Sequence, residues 1–295
     1  MQNAPPTTRA ILWAISAGMV FSVLNATMRA LTQQMHPFQT QFLRYGAGFI
    51  VMIPLILRQG ISVYKPNGIA GQLWRGVVHT VGLMLWFAAL PHMALADMTA
   101  MGFTTPIFIM IGAALFFGEK MMAARWVAAG IGFAGVLVVL GPHLRGDGGV
   151  YALLMLMASP VFAGSFLITK ALTRRDSPAV IVVWQSITVA LFSAPPALYY
   201  WQSPTTAQWA WILLCGVLGS FGHYCLTRSF AAADISATQS TKFLDLVWAT
   251  VLGIIVFGDR PSMETLAGGA VILASTLWIA RREARMGAKA RQARA

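Results

Sequence analysis

Carboxylates are scarce in this chain of 295 residues, which carries nine Asp and Glu against 21 Lys and Arg. Charged residues of both signs make up 10% of it, where a soluble domain carries about 25%. So low a share excludes an ordinary solvated surface. The two cysteines, Cys215 and Cys225, fall within one apolar run at no metal-ligand spacing, which excludes a disulfide framework and points to core positions. Three motifs are missing as well: H-E-x-x-H, G-x-S-x-G and the phosphate-cradling G-x-x-x-x-G-K-[ST]. No enzymatic activity, ATP hydrolysis, cofactor or metal ion is therefore expected.

Hydrophobic residues fill the space left by charge, at 57% of the chain. Apolar runs of roughly 18 to 25 residues recur along it, the length a helix needs to cross a hydrocarbon core of about 30 Å. We read ten spans, at 10–31, 38–57, 73–90, 95–117, 121–140, 150–169, 179–200, 209–229, 236–257 and 263–280. The fold class expected is an all-α polytopic membrane protein. The first run follows Arg9 but ends in "MRALTQQMHP" without a small-residue cleavage site, so it reads as a span rather than a removed leader.

The net charge of +12 sits in short loops and the tail, not on a soluble domain, so nucleic acid is not an expected partner. One set of span ends carries Arg9, Arg58, Lys65, Arg75, Lys120, Arg125, Lys170, Arg174, Arg175, Arg228 and the tail "RREARMGAKARQARA". The opposite set carries Arg145 and Arg260, with Arg29 near a span end. Basic residues stay on the cytoplasmic side of a bilayer, which puts both termini of a multi-pass chain there. The basic tail suits anionic headgroups.

Self-comparison reveals a duplication. "RALTQQMHP" at 29–37 falls on "KALTRRDSP" at 170–178, an offset of 141 that also carries Phe21 onto Phe162 and Pro54 onto Pro195. Asp97 falls on Asp234, and "FFGEK" at 116–120 falls on "VFGDR" at 256–260, with the offset drifting to 137 and 140. The chain thus divides into five-helix halves, 1–145 and 146–295. Because five is odd, the second half enters the membrane from the opposite face, which makes the repeats inverted, a plan common among secondary transporters.

This duplication, the "FFGEK" and "VFGDR" ends and the glycine-rich "RWVAAGIGFAGVLVVLG" resemble the EamA branch of the drug/metabolite transporter superfamily. The resemblance covers roughly residues 10 to 280, and within the branch it is nearest to YddG-type amino-acid and metabolite exporters. It implies a central cavity lined by the first, third, fourth, sixth, eighth and ninth helices, export as the direction of transport, and a bacterial-type inner (plasma) membrane as the location.

Ionisable groups at membrane depth cost about 2.5 to 3.5 kcal/mol each, so each is a candidate for the pathway. In the ninth span Thr238, Lys242 and Asp245 follow i, i+4, i+7 spacing and share a face with Trp248 or Ala249. Their repeat equivalents, Thr105 for Lys242 and Phe108 for Asp245, are uncharged. Pairing of the two charges with each other is the alternative to cargo binding. Arg44 in the second span aligns with Gln185 and either lines the cavity or snorkels to the interface. His79 shares a face with Trp86, and His223 lies among Gly216, Gly219 and Gly222; each histidine otherwise bonds a neighbouring helix. Neither has a His, Cys or carboxylate three or four residues away. Asn25, Trp13, Phe162, Ser165 and Trp184 complete the candidate wall, while Pro106 and Pro160 mark bends. Gly130, Gly132 and Gly135 of the fifth span and Gly268 and Gly269 of the tenth are expected to pack these helices together within a monomer, a dimer interface being the alternative.

The function expected from all this is alternating-access export of amino acids or related small metabolites. Arg44 or Lys242 would take the substrate carboxylate, Asp245 its ammonium, and His79, Trp86 and Trp248 its side chain. Export of drug-like or nucleoside-type metabolites is the alternative, with a channel less favoured. Proton coupling would fall to Asp245, His79 or His223, but a neighbouring Lys242 makes Asp245 a poor proton carrier. Facilitated diffusion is the expectation.

Overall fold

The structure is a computed structural model that describes residues 6–118, 123–143, 149–235, 238 and 243–292. Among these the chain is helical without strands: α1 (Pro6–Thr32), α2 (Pro37–Gln59), α3 (Ile69–Ala89), α4 (Leu95–Gly102), α5 (Thr105–Phe117), α6 (Ala123–His143), α7 (Gly149–Leu172), α8 (Pro178–Tyr199), α9 (Thr206–Ala232), α10 (Phe243–Phe257) and α11 (Met263–Gln292). The ends follow local chemistry. Pro37 and Pro178 sit in first turns, where a missing N–H costs nothing. His36 Nδ1 accepts from the Phe38 N–H, and Thr205 and Gln208 form a reciprocal capping box. Gly118, at φ 64°, ends α5 in the left-handed conformation that favours glycine.

Among the described residues seven helical stretches are long and apolar enough to cross a membrane, and Leu95–Phe117 is one of them. Three shorter apolar helices, Trp126–Val139, Leu244–Phe257 and Met263–Ser275, fall where the remaining spans are expected. Leu95–Phe117 is not one continuous helix but two, α4 and α5, separated by a turn at Phe103 and Thr104. Pro106 explains the break, because it has no N–H to donate to the carbonyl of Gly102.

Apolar side chains face outward, with Leu115, Phe116 and Ile255 each about three-quarters exposed, while Gln39, Gln41, Arg75, Thr169 and Gln185 are buried. An apolar exterior around a polar interior belongs to a multi-pass membrane protein.

Helix pairs come in mates. α1 packs on α9 and α7 on α3; α2 packs on α9 and α8 on α3; α5 packs on α7 and α10 on α1. α2 with α8 and α6 with α11 are each their own mate when the halves are exchanged. At the α6–α11 contact a Cβ on Gly135 would meet the Gly268 carbonyl at 2.7 Å. Gly130 and Gly132 face open space, and Gly269 instead meets Leu246 of α10.

Candidate functional site

A cavity of about 180 Å³ lies between α1, α3, α4, α5, α7, α9 and α10. These helices belong to the six spans that the family resemblance implies. Its wall has a repeated register. On α1 it takes Ala14, Gly18, Phe21 and Asn25, and on α7 Met155, Ser159, Phe162 and Phe166. Each α7 residue is its α1 partner plus 141, and the steps of 4, 3 and 4 keep each set on one helical face. The cavity therefore lies where the two halves meet. Trp86, Phe103 and Phe230 add further rings, and Ser22, Thr99, Thr105 and Thr238 add hydroxyls.

Asp245 of α10 is the carboxylate in this wall, half-buried, with its Oδ1 seated against Gly18. No Lys or Arg among the described residues lines the cavity. Lys242, the expected partner of Asp245, lies outside the described residues. Asn25, Trp86, Phe162, Thr238 and Asp245 are thus brought together. Trp248 is turned outward, 37% exposed, and its neighbour Ala249 takes the wall position.

Arg44, His79 and His223 stand elsewhere, behind the aromatic wall. Arg44 is buried with its guanidinium 4.3 Å from the Tyr45 ring and packed against Gly219 of α9, so it neither snorkels nor lines the cavity. His79 holds Ser165 Oγ at 3.0 Å through Nδ1 and the Tyr45 hydroxyl at 3.1 Å through Nε2. His223 Nε2 lies 3.3 Å from the same hydroxyl and 3.2 Å from the Gln185 amide nitrogen. Gln185 accepts from Arg75 at 2.6 Å, and Arg75 also donates to Thr169 Oγ1 and the Ile181 carbonyl. Phe21 lies edge-on to His223, ring centres 4.9 Å apart, and Phe162 edge-on to His79 at 5.5 Å. One layer of rings therefore separates the cavity from this polar cluster.

Several other candidates are structural. Trp184 Nε1–H donates to the Tyr64 carbonyl, Trp13 packs on Tyr224, Pro160 is absorbed within α7, and Cys215 and Cys225 are buried. The groups that sequence reasoning missed include Tyr45, Arg75, Phe103, Phe166 and Phe230. Arg75, counted among the basic span ends, is instead 2% exposed and fully engaged inside the bundle. Only Gln185, a polar residue aligned with Arg44, signalled a second buried polar site.

The family model described as the EamA-like transporter family matches residues 8–141 and again 149–281. The chain is 34% identical over 277 residues to a riboflavin transporter of Rhizobium johnstonii, covering 93% of this chain and 91% of that one. It is 27% identical to an S-adenosylmethionine uptake transporter of Rickettsia prowazekii, over 91% of both chains. A solved crystal structure of 22% identity aligns with a TM-score of 0.70 over 93% of this chain and 98% of that one, a likeness of fold. The names of these relatives differ from the YddG-type amino-acid exporters to which the sequence pointed.

Proposed function

The chain belongs to the EamA-like transporter family, a membrane transporter of small metabolites, and on that premise we propose that its cargo is a planar, ring-bearing metabolite of the flavin or nucleoside kind. The wall carries the reading: Phe21, Trp86, Phe103, Phe162, Phe166 and Phe230 surround a space with one carboxylate and several hydroxyls. Rings stack with such walls for about 0.5–1.5 kcal/mol per pair beyond area burial. Asp245 suits a cationic or N–H-rich part of the cargo, and Asn25 and Thr238 suit its hydroxyls. The relatives named for riboflavin and S-adenosylmethionine support the same class.

The carrier has ten spans in two inverted halves, both termini cytoplasmic, and works by alternating access as a monomer, in a bacterial-type inner membrane. The mated helix pairs and the symmetric stripe of wall residues support this plan. Direction follows the gradients the cell maintains. Amino-acid export keeps Asp245 for an ammonium group but needs Lys242 for the carboxylate, since Arg44 lies behind the wall.

Counterflow in proteoliposomes tests the proposal, with riboflavin, S-adenosylmethionine and an amino-acid panel as competitors. A ring-bearing competitor is expected to exchange, with Phe162→Ala raising its KM about 2- to 10-fold, the equivalent of one lost ring contact. If amino acids exchange, ring compounds do not, and Lys242→Ala abolishes exchange, the amino-acid reading replaces it.

A further inference from the structure

The polar cluster behind the cavity has a hydrogen-bond wiring that assigns different tasks to its two histidines. Arg75 can only donate, so Gln185 must turn its carbonyl oxygen toward Arg75 and its NH2 toward His223, whose ring nitrogens lie 3.2 and 3.4 Å away. An NH2 group only donates. A doubly protonated His223 would leave that NH2 no acceptor on the ring, so this arrangement fits the neutral ring. His79 differs, because both its nitrogens face hydroxyl oxygens, Ser165 Oγ and Tyr45 Oη, and a hydroxyl can accept as readily as donate.

We infer that His79 is a proton-coupling site: it takes up and releases one proton in each transport cycle, in communication with the cavity through Phe162. On uptake Nδ1–H donates to Ser165 Oγ and Nε2–H donates to Tyr45 Oη. The Tyr45 hydroxyl proton then turns to His223 Nε2, 3.3 Å away, and the Gln185 NH2, 3.2 Å from that nitrogen, donates instead to Tyr45 Oη at 3.4 Å. Release reverses these rotations and returns the proton to water.

The charged and titratable groups around His79 are Arg44 and Tyr45 of α2, Arg75 one turn away on α3 and His223 of α9; α7 presents Ser165, Phe162 and Phe166, and α8 presents Gln185. A proton on His79 therefore joins two guanidinium groups, Arg44 and Arg75, and its repulsion loads the contacts between α2 and α3, which carry them, and α7, α8 and α9, which hold Arg75 through Thr169, Ile181 and Gln185 and Arg44 against Gly219. Those helices come from opposite halves, so the occupancy of His79 biases how the halves sit. The cavity supplies the access. Its 180 Å³ is smaller than the roughly 300–1,000 Å³ of pockets that enclose drug-sized ligands, so cargo must displace wall rings to enter. Phe162, which lies over Gly82 and edge-on to His79, is the ring whose displacement opens His79 to cavity water.

The inference rests on the transporter reading but not on which cargo is carried, and two measurements separate them. In 15N-histidine-labelled protein, one imidazole is expected to pass from the neutral to the doubly protonated shift pattern between pH 4.5 and 8. That signal should disappear in His79→Gln and persist in His223→Gln. In proteoliposomes with clamped membrane potential and riboflavin as probe, a gradient of one pH unit should shift the parent's steady-state accumulation up to about tenfold for one proton per cargo. His79→Gln should keep counterflow and lose that response; His79→Asn gives the same reading if the glutamine variant reconstitutes poorly. Absence of the titrating imidazole, or a His79→Gln transporter that still responds to the gradient, overturns the inference. Parent protein that fails to exchange riboflavin removes that cargo from the reading above, and the imidazole titration then decides the proton site alone.

Discussion

Gly18→Ala and Gly216→Ala add the same methyl group to two inner helices, and the neighbours of each site lead to different outcomes. At Gly18 of α1 the added carbon falls on Asp245 Oδ1, far inside the 3.4 Å at which ordinary contact begins, with Asp245 Cγ at 3.3 Å. The obstacle is the end of a side chain that can rotate, at about 0.5–1.5 kcal/mol for an off-rotamer placement. Alanine is favoured over glycine inside a helix by roughly 0.8–1.0 kcal/mol, so stability should change little. Binding should not be spared. Moving the carboxylate out of the wall removes a charge-assisted hydrogen bond to cargo, about 1.5–3 kcal/mol, which is roughly 10- to 150-fold in apparent affinity. At Gly216 of α9 the added carbon meets Ala47 C at 2.7 Å and Gly48 N at 2.8 Å, both backbone atoms of α2. Backbone cannot rotate away, so the helices must part, at the roughly 1–3 kcal/mol typical of overpacking, less about 1 kcal/mol of helix preference. Thermal unfolding of purified protein followed by tryptophan fluorescence, paired with counterflow KM, reads both effects. A Gly18→Ala protein with unchanged KM would refute the assignment of Asp245 to the cargo, and a Gly216→Ala protein as stable as the parent would refute the packing argument.

Gly268→Val should destabilise the α6–α11 contact by several kcal/mol, because its branched side chain has only the Gly135 carbonyl and Val139 before it; the same thermal assay reads the loss. Asp259→Asn should cost about 1–3 kcal/mol, since Arg29 of α1, packed on the Phe257 ring, then loses its ion-pair partner in the largely buried pair, and exchanging the two charges should recover part of that in unfolding temperature. Burial holds His36 below the usual histidine range, in keeping with its stack on Tyr200 at 3.7 Å and its bond from the Phe38 N–H. A histidine held low contributes stability above its unfolded value of 6.5 and loses it as pH falls toward the lowered value. Replacement by Gln should therefore flatten the acid side of the unfolding-temperature profile below about pH 6.5.

The duplication was legible because loops change length more freely than packed helices change residues. An offset of 141 read from "RALTQQMHP" also gives the register of the cavity stripe, down to Phe21 with Phe162. Helical spacing likewise put Thr238 and Asp245 on one face, but it left Trp248 and Ala249 undecided, since a span of this helix can bury either neighbour. The small one took the wall and the large one went outward. Arg44, His79 and His223 show where periodicity ends. An inner helix of a bundle has several buried faces, one against the cavity and others against neighbouring helices, and spacing along one helix does not tell them apart. What settles Arg75 is its acceptors on α7 and α8, Thr169, the Ile181 carbonyl and Gln185, which stand about a hundred residues away. The span broken at Phe103 had a local sign in Pro106, but a proline at membrane depth is equally compatible with a continuous, kinked helix.

The symmetric stripe also bears on how one cargo is held in one orientation. If the wall were identical on α1 and α7, a flat ring could bind in two poses related by the exchange of halves. The sequence breaks that equivalence at three of the four positions: Ala14 opposite Met155, Gly18 opposite Ser159, and Asn25 opposite Phe166. On the α1 side, glycine leaves space that Asp245 fills, and Asn25 adds an amide; on the α7 side, Phe162 and Phe166 stack with ring centres 6.2 Å apart. A cargo with a polar edge and an apolar face therefore finds the Asp245 carboxylate and the Asn25 amide on one side and stacked rings, with the single Ser159 hydroxyl, on the other. In the proposed carrier the duplicated scaffold supplies the motion, and the unequal residues on it supply the choice of cargo.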